Sequence, residues 1–173
     1  MEKNLYTNQN VFISRADSTN LLCLISMTSE IENTTQVKVN LMLLDWADAQ
    51  ALAKPIRTSV FIEEQLVPER EEWDDEDSTA LHILAFKNGE AVATARLTQK
   101  GKIGRMAVLK AYRQQGIGAM MLVKLIEAAK QRGLQEIKLW SQTHAQAFYK
   151  KHGFTAQGDE FLDAGIAHVE MRL

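Results

Sequence analysis

The stretch KIGRMAVLKAYRQQGIGAMMLVKLIEAAKQR, Lys102 to Arg132, decides how the rest of the chain is read. Ile103 to Leu109 is short and apolar, with no room for a full helix before the glycines, so it reads as a buried strand. From Gly118 onward Leu122, Leu125, Ile126 and Ala129 recur with helical spacing, while Lys124, Glu127, Lys130 and Gln131 take the opposite face. Gly133 supplies the left-handed residue that ends this helix. Between strand and helix lies Arg113-Gln114-Gln115-Gly116-Ile117-Gly118. Glycines in such a turn let the backbone approach a ligand with no Cβ in the way, and the first N–H groups of a helix have no intrahelical partner. A diphosphate suits that geometry, at the positive end of the helix dipole and with Arg113 adding a charge-assisted contact. Taken alone, a G-x-G is a weak signal, and it is more often a structural turn whose glycines only permit tight packing.

The turn has neither the G-x-G-x-x-G of a dinucleotide fold nor the G-K-[ST] ending of a P-loop. Arg113-x-x-Gly116-x-Gly118, preceded by a strand at Met106-Ala107-Val108 and followed by an amphipathic helix, resembles the acetyl-CoA pyrophosphate loop of the GNAT superfamily of N-acyltransferases. Downstream, Leu139-Trp140-Ser141-Gln142 and then Ala147 to Phe154 resemble that family's second block, a strand and a helix ending in Y-x-K-x-G-F. The resemblance narrows with Val-Phe-Ile-Glu-Glu-Gln at Val60 to Gln65, the acidic run after Val67-Pro68, Leu81-His82, Ala95-Arg96-Leu97 and Gly165 to Met171. Together these are similar to the ElaA-like and YjcF-like branch of small GNAT proteins, over about Gln36 to Leu173.

The resemblance implies a mixed α/β sheet of six or seven strands, with helices on both faces and splayed central strands. It implies acetyl-CoA as co-substrate, with Arg113, Gln114, Gly116, Gly118 and Ala119 holding the diphosphate. The backbone groups of Met106, Ala107 and Val108 would bind the pantetheine arm, and one of those N–H groups would stabilise the oxyanion. Tyr149 would protonate the departing thiolate. The asparagine that usually precedes the second-block helix is replaced in the region Thr143 to Gln146. The implied reaction moves an acetyl group to an amine, by direct attack in a ternary complex. A sensor that binds acyl-CoA without turnover, or a transferase for a longer acyl chain or a hydroxyl acceptor, shares these motifs.

The 173 residues are 46% hydrophobic and 24% charged, an ordinary globular composition for one main domain. A net charge of −2 offers no general attraction to nucleic acid or anionic lipid. Cys23, the single cysteine, excludes a disulfide framework and a Cys-based metal site. No metal is expected, and a cytoplasmic location is the default. The partner expected is a small-molecule or peptide amine; a monomer and a homodimer both fit. Residues 1–35 are polar around the apolar island Leu21 to Ile25. They read as an N-terminal extension, flexible or docked, ahead of an acetyltransferase domain at 36–173.

Val37, Val39, Leu41 and Leu43 alternate with Lys38, Asn40 and Met42 as a strand with one face more buried, and Asp45 then caps a helix supported by Asp48. The helix is expected to break before Pro55, giving a helix pair or one kinked helix. The run Glu71 to Asp77 reads as a solvated acidic loop, or as carboxylates that attract a cationic amine and accept its proton. Trp73 either covers a pocket rim or anchors that loop. Ala80 to Phe86 and Ala91 to Leu97 form a hairpin about Asn88-Gly89, the preferred pair for a type I′ turn. Arg96, in a strand of small residues, needs a partner among the upstream carboxylates. Glu64 and His168 are the candidate bases, His168 reading equally as a hydrogen-bonded structural histidine.

Overall fold

A computed structural model describes residues 38–173, and these are the residues considered below. Strand β1 (Val39–Leu44) is followed by helix α1 (Trp46–Arg57), whose Asp45 cap accepts the Asp48 N–H at 3.1 Å. Contrary to the sequence expectation, no break precedes Pro55. The proline sits inside α1, and the helix widens directly after it into a π-helical segment, Thr58–Glu64. A proline removes only one N–H, and the Thr58 N–H bridges the carbonyls of Lys54 and Pro55, so the ladder resumes at once.

Helix α2 (Glu69–Glu72) and a 3₁₀ turn (Asp75–Thr79) lead into the hairpin β2 (Leu81–Lys87) and β3 (Glu90–Leu97). Asn88 and Gly89 have φ of 54° and 85°, the two positive values that a type I′ turn requires. Strand β4 (Lys102–Val108) follows Gly101, where a Cβ would lie 2.0 Å from the Glu136 carbonyl oxygen. Helix α3 (Ile117–Gln131), β5 (Lys138–Gln142), α4 (Gln146–Lys150), β6 (Thr155–Asp163) and β7 (Ile166–Arg172) complete the order.

The seven strands lie in the order β1-β2-β3-β4-β5-β7-β6, antiparallel throughout except for the parallel pair β4 and β5. Alternation along β2 sends Ile83 and Ala85 to the face under α3, where Met121, Leu122, Leu125 and Ala129 pack. Leu84 goes to the other face, under Ala49, Ala53 and Ile56 of α1. Helices thus cover both faces. Strand β6, an edge strand, had no sequence assignment: its residues are polar and largely exposed, and a register shift around Gly158 interrupts any period of two.

The acidic run is a solvated loop only in part: Glu71, Asp74, Asp75 and Glu76 are exposed, whereas its other two carboxylates are not. Glu72 and Asp77 are 2% and 3% exposed. Asp77 accepts from Arg57 at 2.8 and 2.9 Å and from Arg96 at 2.7 Å, and Arg96 also binds Asp74 through both terminal nitrogens. Arg96 therefore finds the carboxylate partners its position demanded. Trp73 lies with its ring centroid 4.7 Å from the Arg57 guanidinium carbon, which anchors the loop, and it lines a surface cavity with Trp46 and Lys54.

Candidate functional site

Strands β4 and β5 pair only at Lys102 with Lys138 and Ile103 with Leu139. Beyond that point they part. The departure coincides with a bulge in β4, where the register against β3 shifts between Thr94 and Arg96 and Arg105 adopts φ of 51°. The outer edge of β5 is taken by β7, so on the side of β4 that faces β5 the backbone of Met106 and the Val108 N–H have no strand partner, while Ala107 pairs with Thr94 of β3. A cavity of about 390 Å³ opens at this wedge, lined among others by Phe61, Met106, Trp140, Gln142, Tyr149 and His168.

Tyr149 stands on α4 with its hydroxyl 3.7 Å from the Met106 Sδ, and its ring meets Phe148 edge-on at 4.9 Å and Phe154 at 6.1 Å. Burial pushes the phenol up to about 12, so it keeps its proton at neutral pH. His168 on β7 is paired in register with Gln142 of β5. Its Nδ1 lies 2.8 Å from the Ile166 carbonyl, to which it donates, and this leaves the Nε2 lone pair free to accept a proton. The side-chain amide of Gln142 donates to the Gln65 side-chain oxygen at 2.9 Å. This pair ties the end of the π-helical segment to the end of β5. Separated by 77 residues, it left no signal in the sequence.

The turn before α3 has the expected form. Gln114 and Gly116 have φ of 61° and 78°, and the N–H groups of Gln114 to Ala119 find no protein acceptor among the described residues. A Cβ at Gly116 would meet nothing, so glycine is needed there for its left-handed backbone and for the space it leaves. At Gly118 a Cβ would stand 3.8 Å from the Phe148 ring and 3.9 Å from Val108, which places this end of α3 directly beside α4 and β4.

Arg113 reaches back from this turn. Its Nε donates to the Val108 carbonyl at 2.9 Å, and its two terminal nitrogens grip the Glu64 carboxylate at 2.6 and 2.7 Å. The hydrogen bonds from Arg113 hold the Glu64 carboxyl below its ordinary range. Glu64 does not line the cavity. Held by a bidentate arginine and outside the cavity, the Glu64 carboxylate is a weakened proton acceptor in this arrangement, and His168 is the better placed of the two candidate bases. Among the described residues no cluster of His, Cys, Asp and Glu is placed to hold a metal, and no helix is long and apolar enough to cross a membrane.

Residues 35–173 match the acetyltransferase (GNAT) domain family. The chain belongs to that family. Of this GNAT chain, 67% aligns with 86% of the uncharacterized N-acetyltransferase YjcF of Bacillus subtilis at 39% identity. An acyl-CoA N-acyltransferase from Pseudomonas aeruginosa superposes with a TM-score of 0.71 at 30% identity, over 78% of this chain and 99% of that one. Escherichia coli ElaA superposes with a TM-score of 0.70 at 28% identity, over 77% and 98%. The GNAT chain is thus an acyltransferase of the ElaA and YjcF branch, in a family that draws its acyl group from acetyl-CoA or another acyl-CoA.

Proposed function

We propose that the chain transfers an acetyl group from acetyl-CoA to a primary amine, in a ternary complex and without a covalent acyl-enzyme. The observation that carries this reading is the convergence of the parted β4 and β5 edges with the Tyr149 phenol in one cavity. The unpartnered N–H groups of Gln114 to Ala119 suit a diphosphate, and the β5-facing backbone of Met106 with the Val108 N–H suits the amide-rich pantetheine arm.

Acetyl-CoA supplies an activated thioester carbonyl. The amine nitrogen attacks that carbon, a C–N bond forms, the C–S bond breaks, and the amine sheds one proton while the sulfur gains one. His168 Nε2 takes the proton from the amine. Tyr149 gives one to the sulfur, and a backbone N–H of Met106, Ala107 or Val108 steadies the oxyanion. Arg113, Gln114, Gly116, Gly118 and Ala119 hold the diphosphate, Arg113 exchanging Glu64 for phosphate oxygens of the same planar fit.

Tyr149→Phe tests the reading. The ring stays packed against Phe148 and Phe154, so acetyl-CoA affinity stays near wild type, whereas kcat with an accepted amine falls by roughly 10²- to 10⁴-fold. Undiminished turnover would remove Tyr149 from the chemistry.

A further inference from the structure

The reactive end of the cavity lies at Met106, Tyr149 and His168; Lys102 and Trp140 line it at the base of the wedge, where β4 and β5 still pair. Three cations line the cavity beside the carboxylates Glu71, Glu72, Asp74, Glu76 and Asp163, and two of the three cations are ion-paired. Arg96 is bound to Asp74, Asp77 and Glu76, and Arg105 to Glu72 and Asp74. Lys102 differs. Among the described residues its ammonium makes no hydrogen bond and no ion pair within 4.0 Å; it lies over the Trp140 ring, 3.0 Å from the centroid. Burial draws its pKa below the usual lysine range, against the opposing pull of the Glu76 and Asp163 charges.

We infer that Lys102 reads an anionic group on the acceptor, which is therefore an amine carrying a carboxylate or a phosphonate-like group at its far end. A half-buried ammonium whose close neighbour is a ring face has lost water without gaining a hydrogen-bond acceptor, and an anion of the substrate supplies one. Trp140 holds the lysine from below. Lys102 and Met106 are four residues apart on β4, roughly 13 Å of extended strand before the bulge shortens it. The acceptor therefore bridges from the acyl-transfer position to Lys102, and a spacer between amine and anion is favoured over an α-amino acid. This inference rests on the amine acetylation proposed above and adds the class of amine.

The test uses the full chain, acetyl-CoA and matched amines: 4-aminobutyrate with butylamine, 6-aminohexanoate with hexylamine, 3-aminopropylphosphonate with propylamine, and phenylalanine with phenethylamine. CoA release is followed for each. The expected result is a higher kcat/KM for the anionic member of the spaced pairs, by roughly tenfold to a hundredfold, carried mainly by KM. Comparing 4-aminobutyrate with 3-aminopropylphosphonate identifies which anion is preferred. Lys102→Met should collapse the ratio within each pair, and Lys102→Arg should keep most of it. A structural role for Lys102 would lower both members and leave the ratio intact, which overturns the inference. So would a wild-type preference for the uncharged amines, or no release with any anionic amine. Stabilisation by acetyl-CoA, measured as a rise in Tm, reports on the donor separately. If that rise is present and the pairs do not separate, only the acceptor class fails; if it is absent, the acetyl-transfer reading fails as well.

Discussion

The Tyr149 phenol illustrates how one residue couples packing to chemistry. Its ring is held between Phe148 and Phe154, and the burial this entails keeps its proton on until about pH 12. In the unfolded chain a tyrosine ionises near pH 10. The folded pKa is raised, so the folded state binds the proton more tightly and stability falls as pH rises through about 10 toward about 12. The Tyr149→Phe variant should show a shallower loss of Tm than wild type between about pH 9 and about pH 11, and identical slopes would argue that the phenol is solvated. Gly116 makes the second residue-scale prediction. Its φ of 78° strains any side chain, and the space above it is where phosphate oxygens approach. Gly116→Val should abolish the rise in Tm on adding acetyl-CoA; normal binding would move the diphosphate elsewhere.

At the scale of elements, the acidic segment Glu71 to Asp77 acts as a clasp joining α1, β3 and β4 through Arg57, Arg96 and Arg105. Removing Asp77 would leave two buried guanidiniums short of a counter-charge. Asp77→Ala should cost about 3–5 kcal/mol in denaturant unfolding. A loss below about 1 kcal/mol would mean that Asp74 and Glu72 compensate. The end of the π-helical segment forms a second tie, in which Glu64 occupies Arg113 and Gln65 meets Gln142. If Glu64 competes with phosphate for Arg113, Glu64→Gln should tighten acetyl-CoA binding by about two- to fivefold by calorimetry, the scale of an exposed ion pair. Weaker binding would instead make Glu64 the group that orients Arg113.

At the scale of the whole molecule, residues 37–173 form one compact unit, and a chain beginning at Gln36 is expected to fold and to gain Tm with acetyl-CoA. Aggregation of that shortened chain would show that residues 1–35 belong to the core. Within the unit, much was legible from local pattern. The α3 stripe, the Asp45 cap, the Asn88-Gly89 turn and the glycines of the 113–118 turn each depend on neighbours in sequence, where period and backbone preference act directly. The resemblance of two separated blocks to one family extended this to the sheet and its parted strands. Tertiary structure alone decided the rest. Glu72 and Asp77 of the acidic run are buried because arginines from α1, β3 and β4 meet them, and charge in a sequence does not reveal its counter-charge in space. Glu64 is engaged by Arg113, 49 residues on, which folds back onto it. Lys102 became a candidate reader of the acceptor only once β5 had brought Trp140 beneath it and the clasp had consumed the other cations. Long-range pairing sets which charges are free, and periodicity carries no record of it.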